Sequence, residues 1–556
     1  MRNNFMFFKK HPFMVFFVLS GFFSVSSLII ACFYNNFYLS RHVFEGDSSS
    51  YYFFQINSFF NSIRMGTANS LIYELTNNAR NPFRIVPYLI FNPQSLVTYN
   101  GHLIVADLML FFYVLLFGYL IYKRTKSMTY SSYGMFLIFT PACFFDPTLG
   151  FPANYPDLHA SYFVGAALSS LFLSDFGKKG RWLFIFGTFI ALASLSRFIS
   201  AGFCFVICAP ILFYFIYLRY CEEKNILINV ITPLCLVLSP IVLLSGYFLY
   251  TFTLPNLHFY DVAGYELGRG VDLALNNVGK SYKTYLGAAL IFLMIITFFR
   301  YVIYNKPKIN QNEFLLTAWA ACSHPLLFVF VLKVGDDIRS PLYALPGIFL
   351  LCLAPYTCQH KSISEKTELR RNFFMFFLVF ILIIWSNAML IKKYEKISND
   401  EISNIIFSKS ISNLTKLYSQ GEAPLLNRPI AFDTFFYEYG HRIVLENALS
   451  NKYELKWAHL YEVHKTGWLL SYPNHNLSDL KSELYIKTKN SLDLVWIIDN
   501  PNLESAKILF NNDWSIEIVN YMNLQITKNT RDWRFITKID SPWGAISLYK
   551  NTHKLH

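Results

Sequence analysis

The chain has 556 residues, of which 54% are hydrophobic and 19% aromatic, while only 15% are charged. Because soluble domains carry about a quarter charged residues, this composition argues against a wholly soluble protein and favours a membrane protein. The net charge of +13 would fit a nucleic-acid partner, but much of the basic charge lies in short clusters between apolar runs. We therefore expect no nucleic-acid partner and interpret the charge as a signal of membrane orientation.

Apolar stretches recur through the first 392 residues and match a hydrocarbon core of about 30 Å. They predict about eleven transmembrane helices, at 12–34, 101–122, 131–145, 158–174, 182–196, 198–218, 227–252, 284–304, 314–333, 340–357 and 373–391. The first stretch follows Lys9 and Lys10 and is too long for the core of a signal peptide. We interpret it as an uncleaved anchor.

The loops between these stretches differ in charge from one side to the other. Short basic loops, such as the one that holds Lys123 and Arg124, are typical of cytoplasmic connections. The longer loops between them hold most of the loop carboxylates and lie at 35–100, 146–157, 253–283 and 334–339. This asymmetry predicts a multi-pass protein of a bacterial inner (cell) membrane, with its N-terminus in the cytoplasm and its C-terminal segment outside.

The C-terminal segment changes in character, which predicts two domains, a membrane domain over 1–392 and a soluble domain over 393–556. Stretches of strand-forming residues lie at 429–433, 492–499, 515–519 and 545–549. Residues 502–510 favour a short helix between two of them. The alternation predicts a small soluble α/β domain on the periplasmic or outer side.

The first outer loop, 35–100, carries two acids early, Glu45 and Asp47. A carboxylate held there against low-dielectric surroundings could act as a general base toward an incoming hydroxyl. The alternative is a solvated turn that caps an interfacial helix, with Asp47 or Ser48 as the N-cap. Later in this loop, Arg84 could bind a lipid phosphate through charge-assisted hydrogen bonds, or it could extend to ordinary lipid headgroups.

Later outer segments add further charged candidates. The second outer loop has two acids, Asp146 and Asp157. Asp157 precedes a predicted span, so it could be a helix N-cap near the positive end of the helix dipole, or it could join Asp47 in a carboxylate cluster. Three basic residues lie at the outer ends of predicted spans and could enter an outward cavity or anchor the interface: Lys280, Lys283 and Arg339. Arg197 is predicted at an outer hairpin between two short spans.

The order of these motifs resembles the GT-C superfamily of integral-membrane glycosyltransferases, which includes the aminoarabinose and protein O-mannosyl transferases. The acids Glu45-Gly46-Asp47 resemble the acidic motif of the family's first outer loop, and Arg84-Ile-Val-Pro87-Tyr88-Leu89 is similar to its cation-proline-tyrosine segment. Asp146 or Asp157 matches the acid of the second outer loop. A late segment of the family is similar to 339–346. The Phe-, Tyr- and Asn-rich composition also resembles that of serotype-converting O-antigen glucosyltransferases.

The resemblance implies a GT-C-like fold and transfer of a sugar from a polyprenyl-phosphate donor. The acceptor would be a hydroxyl of a glycan or lipid-linked glycan, at the outer face and in contact with membrane lipid. It further implies Asp47 and Glu45 as catalytic acids, and Arg84, Arg339, Lys280 and Lys283 as donor-phosphate-binding residues. A divalent metal, Mg or Mn, could bridge Asp47 and the phosphate, but the ligand set is incomplete and no cofactor is assigned.

Two other functions compete with this interpretation. An O-antigen polymerase or ligase also uses polyprenyl-linked substrates, but such enzymes usually centre on a large late loop, whereas here the acids crowd the first loop. A non-enzymatic flippase or transporter of lipid-linked sugars would favour internal repeats and charged midplane residues, and the sequence shows neither pattern.

Overall fold

The computed structural model describes most of the N-terminal helices and most of a C-terminal sheet. The described ranges are 12–38, 99–141, 144–146, 150–152, 156–197, 200–250, 311–326, 340–357, 430–434, 455–457, 476–499, 513–541 and 544–552, with separate positions at 293, 295 and between 377 and 392. Elements up to 392 belong to one compact unit and those from 430 onward to a second.

The first unit is built of helices that follow the apolar runs of the sequence. Its helices are α1 (Pro12–Tyr38), α2 (Tyr99–Thr125), α3 (Met128–Leu137), α4 (Pro156–Leu173), α5 (Gly180–Ser196), α6 (Ser200–Glu222), α7 (Thr232–Phe248), α8 (Gln311–Leu326) and α9 (Ser340–Thr357). A π-helical turn, Leu227–Ile231, runs directly into α7.

Several of these helices are long and apolar enough to cross a membrane. Within the described ranges, four meet both criteria: Pro12–Tyr34, Leu103–Thr125, Ser200–Glu222 and Leu227–Phe248. Two shorter apolar helices are Gly180–Ser196 and Leu342–Ala354. The first unit therefore has the helical membrane-protein architecture that the hydropathy pattern predicts, while the total of about eleven crossings stays a prediction.

Helix α1 shows why these sequences form membrane helices. Its exposed side includes Phe17, Phe22 and Ile29, which are large apolar residues suited to lipid. Its buried side includes Ser20 and Ser24, and the Ser24 hydroxyl donates to the backbone carbonyl of Asp107 in α2 at 3.2 Å. Small residues at the contact let two membrane helices approach closely.

The span predicted at 131–145 is wrong in length. Helix α3 ends at Leu137 and is only 10 residues long, so it extends about 15 Å at a rise of about 1.5 Å per residue. Pro141 disfavours the helical backbone at the residue before it, and the Thr140 hydroxyl bonds back to the carbonyl of Leu137. The helix therefore ends before the second half of the predicted span, and residues 138–139 form a turn.

An ion pair marks one end of the helical unit. Arg124, near the end of α2, pairs with Glu313 at the start of α8 and donates to the carbonyl of Phe172 at the end of α4, 3.2 Å away. These contacts bring the end of α2, the end of α4 and the start of α8 together. The basic residues Lys123 and Lys178 also lie near the ends of α2 and α4.

The second unit contains a five-stranded mixed sheet with helices. Its elements are β1 (Ile430–Thr434), β2 (Leu455–Trp457), α10 (Leu477–Ser491), β3 (Leu494–Asp499), α11 (Asp513–Lys528), β4 (Trp533–Ser541) and β5 (Gly544–Asn551). The strand order is β2-β1-β3-β5-β4, with β1 parallel to β2 and β3, and β5 antiparallel to β3 and β4. This is the predicted α/β class, and three of the four predicted strands correspond to β1, β3 and β5.

The strand predicted at 515–519 is wrong, because these residues lie inside α11. Alternation of apolar and polar residues over five positions favoured a strand. In the structure, Ile518, Met522 and Ile526 are all fully buried, and their spacing of four residues is that of one helix face. The longer helical periodicity prevails over the short alternation. The helix predicted at 502–510 lies outside the described residues.

Candidate active site

The end of the helical unit opposite the Arg124–Glu313 pair contains a buried cluster of polar side chains. The Nε–H of Arg197 donates to Oδ1 of Asp157 at 3.1 Å, and the Tyr343 hydroxyl donates to the same oxygen at 3.0 Å. The hydroxyl oxygens of Tyr343 and Ser200 are 2.8 Å apart. None of these four residues is more than 5% exposed. We call them the Asp157 cluster.

Each member of the cluster lies at the end of a helix. Asp157 is the second residue of α4, Arg197 directly follows α5, Ser200 begins α6, and Tyr343 lies in the first turn of α9. The positive end of the α4 dipole favours the Asp157 carboxylate, and the negative end of the α5 dipole favours the Arg197 guanidinium. Helix ends from three separate parts of the sequence therefore meet at one buried ion pair.

The backbone around Arg197 explains why its side chain reaches Asp157. Arg197 leaves the helical conformation, with φ −160° and ψ 120°, and its N–H still bonds to the carbonyl of Ala193 at 3.0 Å. Its own carbonyl accepts from the N–H of Ser200 at 3.0 Å, which keeps the end of α5 close to the start of α6. This hydrogen bond holds Arg197 and Ser200 on the same side of the unit as Asp157.

The ring of Tyr343 is fixed by packing as well as by hydrogen bonds. Phe203, one turn after Ser200 in α6, lies with its ring centroid 4.1 Å from that of Tyr343. Both rings are buried. Such contacts leave the Tyr343 hydroxyl little freedom to leave Asp157, since a packed aromatic ring has few alternative rotamers.

Beside the cluster, aromatic side chains pack the segment before α4 against α4. Phe144 and Phe151 stack with centroids 5.8 Å apart, and Phe151 contacts the His159 ring at 5.5 Å.

Asp146 lies in the same turn as Phe144. It is 9% exposed, and its backbone carbonyl accepts from the N–H of Gly150 at 3.0 Å. A small, mostly apolar cavity next to Phe144, lined also by Tyr113, has room for about one water molecule.

Two of the residues predicted for the site, Asp146 and Asp157, lie among the described residues. Asp157 lies inside the first turn of α4 and not at its N-cap, and its described partners include Arg197 and Tyr343. Asp146 lies in the turn before α4. The other predicted site residues lie outside the described residues: Glu45, Asp47, Arg84, Lys280, Lys283 and Arg339. The predicted cluster of Asp157 with Asp47 therefore stays a prediction.

Metal binding is not indicated by the part of the chain that the structure describes. No group of three or more His, Cys, Asp and Glu side chains lies close enough there to hold a metal ion. The proposed bridging position of a divalent metal involves Asp47, which lies outside this part.

Sequence reasoning noted Arg197 and the segment 339–346, which contains Tyr343, without finding their contact with Asp157. The positions are separated by 40 residues for the ion pair and by 186 for the hydrogen bond, so only the fold brings them together. One signal was available, because an arginine and an aspartate at the outer ends of two neighbouring predicted spans would each be costly to bury alone. Ser200 gave no comparable signal.

Comparison with known proteins yields a structural match. No protein-family model and no curated protein matches this sequence. Among solved structures, the chain is similar to ArnT from Cupriavidus metallidurans, whose crystal structure contains bound undecaprenyl phosphate. The two chains are 9% identical, the match covers 98% of this chain and 99% of ArnT, and the TM-score is 0.53.

At this level of identity the similarity shows the fold. The chain shares the fold of ArnT along nearly its whole length. Its activity is a separate question, since one fold supports different functions and the site has to carry the argument.

Proposed function

We propose that this protein transfers a sugar from a polyprenyl-phosphate donor to a hydroxyl of a glycan or lipid-linked glycan at the outer face of the membrane. The observation that carries the proposal is the similarity in fold to ArnT over 98% of the chain. The bound undecaprenyl phosphate in that structure is a lipid of the proposed donor class. The acidic and basic motifs of the outer loops supply the chemistry that such a transfer needs.

The proposed reaction exchanges one bond to the anomeric carbon for another. The acceptor hydroxyl oxygen attacks this carbon, the bond from the carbon to the phosphate oxygen breaks, and the polyprenyl phosphate leaves with its negative charge. The hydroxyl proton passes to Asp47, which acts as general base. Arg84, with Arg339 or Lys280 and Lys283, stabilises the charge on the leaving phosphate.

Membrane orientation follows from the same proposal. A donor phosphate at the outer face requires the Asp157 cluster at the outer end of the unit and the Arg124–Glu313 pair at the cytoplasmic end. The basic residues Lys123 and Lys178 lie at the proposed cytoplasmic end. This assignment places the first outer loop, with Asp47, on the side where the acceptor is found.

Replacement of Asp47 tests the proposed base. Asp47→Asn keeps the size of the side chain and removes the proton acceptor, so we expect the rate of sugar transfer to fall by about 10²–10⁴-fold. The matched control is Asp175→Asn, because Asp175 is an exposed acid that forms a surface ion pair with Lys179 at the proposed cytoplasmic end.

The measurement is the formation of free undecaprenyl phosphate by purified protein from undecaprenyl-phosphate aminoarabinose, mannose or glucose, in the presence of cell-envelope glycan and lipid-linked glycan acceptors. Asp175→Asn should match the wild type in this assay. Wild-type rates in the Asp47→Asn protein would remove Asp47 from the mechanism.

A further inference from the structure

The direction of the hydrogen bonds in the Asp157 cluster follows from its chemistry. An ionised carboxylate only accepts hydrogen bonds, so the single hydroxyl proton of Tyr343 points to Asp157. The Tyr343 oxygen can then only accept at its 2.8 Å contact with Ser200, so Ser200 is the donor. The result is a chain from Ser200 through Tyr343 to Asp157, with Arg197 donating to the same carboxylate oxygen.

This arrangement fixes Asp157 in place. Its side chain has no exposed surface, and Oδ1 accepts two hydrogen bonds, one of them from a cation. In the described structure Asp157 is an anion that holds the starts of α4, α6 and α9 and the end of α5 together.

We propose that Arg197, Ser200 and Tyr343 are positioning residues of the transferase, and that they act through Asp157. The inference rests on the proposed function. It places Asp157 at the centre of a cluster that positions other groups. Asp146 and Arg339 precede α4 and α9 in the chain, and both of these helices begin at the cluster. A shift of about 1 Å in a reacting group can cost about 10²-fold in rate.

Tyr343→Phe is the sharpest test because it removes one hydroxyl and leaves the ring and its packing on Phe203. We expect kcat, measured per folded protein as undecaprenyl phosphate formed from the donors named above, to fall by about 10-fold or more, while the KM of the donor changes by less than about threefold. The matched control is Tyr113→Phe. Tyr113 is also buried, but its hydroxyl has no hydrogen-bond partner among the described residues, so kcat should stay at the wild-type value.

A double variant distinguishes positioning from a general loss of structure. If Tyr343 acts through Asp157, then Tyr343→Phe should lower kcat little further in a protein that already carries Asp157→Asn. Independent effects would multiply, and that result would overturn the inference.

Ser200→Ala gives a second test if the Tyr343 variant folds poorly. It removes only the first donor of the chain, so we expect a smaller fall in kcat in the same direction. Its control is Ser194→Ala, because the buried Ser194 hydroxyl bonds within its own helix to the carbonyl of Ile190.

The outcomes for this inference and for the proposed function differ. An active wild type together with wild-type kcat in both Tyr343→Phe and Ser200→Ala would overturn the inference and leave the proposed function standing. A folded wild type that forms no undecaprenyl phosphate from any of the three donors would overturn both.

Discussion

Asp157 and Arg197 are two opposite charges in a site with almost no solvent. Their side chains are 0% and 7% exposed. Removing each ion from water costs several kcal/mol, which is offset only when geometry and further hydrogen bonds are favourable. Here the hydrogen bond from Tyr343 and the dipoles of α4 and α5 provide this compensation. We therefore expect the free energy of unfolding to depend strongly on this pair.

Removal of one partner should leave a buried, uncompensated charge. We expect Arg197→Met to lower the free energy of unfolding by about 3–5 kcal/mol. The control is Lys178→Met, which breaks the Lys178–Glu222 pair, whose side chains are 51% and 60% exposed, and should cost about 0–1 kcal/mol. The free energies of unfolding of both variants are measured on the detergent-solubilised proteins. Equal stability of the two variants would contradict the assigned role of the buried pair.

Individual residues also show the limits of sequence reasoning. Asp157 was chosen for the type and position of its side chain, and the structure places it in a charged cluster. Its partners depend on packing between α4, α5, α6 and α9, which no local pattern specifies. Sequence reasoning also left open whether Asp157 caps α4, and the exact start of that helix decides the question. Glu45, Asp47 and Arg84 stay predictions.

At the level of elements, hydropathy predicted the long helices because it reports burial in lipid directly. The apolar runs at 12–34, 101–122 and 198–218 lie within α1, α2 and α6 with small differences at the ends. The sequence pattern gave the wrong element where local chemistry determines the secondary structure. Pro141 ends the helical stretch at α3 earlier than hydropathy indicates, and in α11 a helical face outweighs a short alternation.

Close approach between helices depends on glycines that hydropathy treats as neutral. Gly347 in α9 lies against the backbone of α8, where an added methyl group would overlap the carbonyl oxygen of Ala320 and contact the backbone nitrogen of Ala321. Backbone atoms cannot move aside as a flexible side chain can. The α8–α9 contact therefore requires glycine at this position.

Gly347→Ala should force these two helices apart. We expect a loss of about 1–3 kcal/mol in the free energy of unfolding, as for other overpacked sites. Gly202→Ala in α6 is the matched control, because an added methyl group there meets no atom within 4 Å and should leave stability unchanged or slightly raised. Thermal unfolding in detergent compares the two, and a Gly347→Ala protein as stable as the Gly202→Ala protein would contradict the packing argument.

For the whole molecule, the described elements form a helical unit and an α/β unit. The precise boundary and the side of the membrane on which the second unit lies stay predictions. The fold class could be predicted because hydropathy and motif order are both global patterns. The site could be predicted only in part, because its geometry arises from contacts between distant helices.

The predicted orientation can be tested by labelling single cysteines in intact cells with a membrane-impermeant thiol reagent. Lys487 in α10 is an exposed position of the second unit and Lys178 an exposed position near the end of α4. In a background without the native cysteines, we expect Lys487→Cys to be labelled from outside and Lys178→Cys to be protected until the cells are lysed. The reverse pattern would place the second unit in the cytoplasm.

The most direct test of the central claim is sugar transfer by the purified wild-type protein in lipid vesicles. The vesicles would contain undecaprenyl-phosphate aminoarabinose, mannose or glucose together with cell-envelope glycan and lipid-linked glycan acceptors, and mass spectrometry would quantify both products. We expect undecaprenyl phosphate and glycosylated acceptor to appear in equal amounts with one of these donors. A folded protein that forms neither product with any of the three would contradict the account.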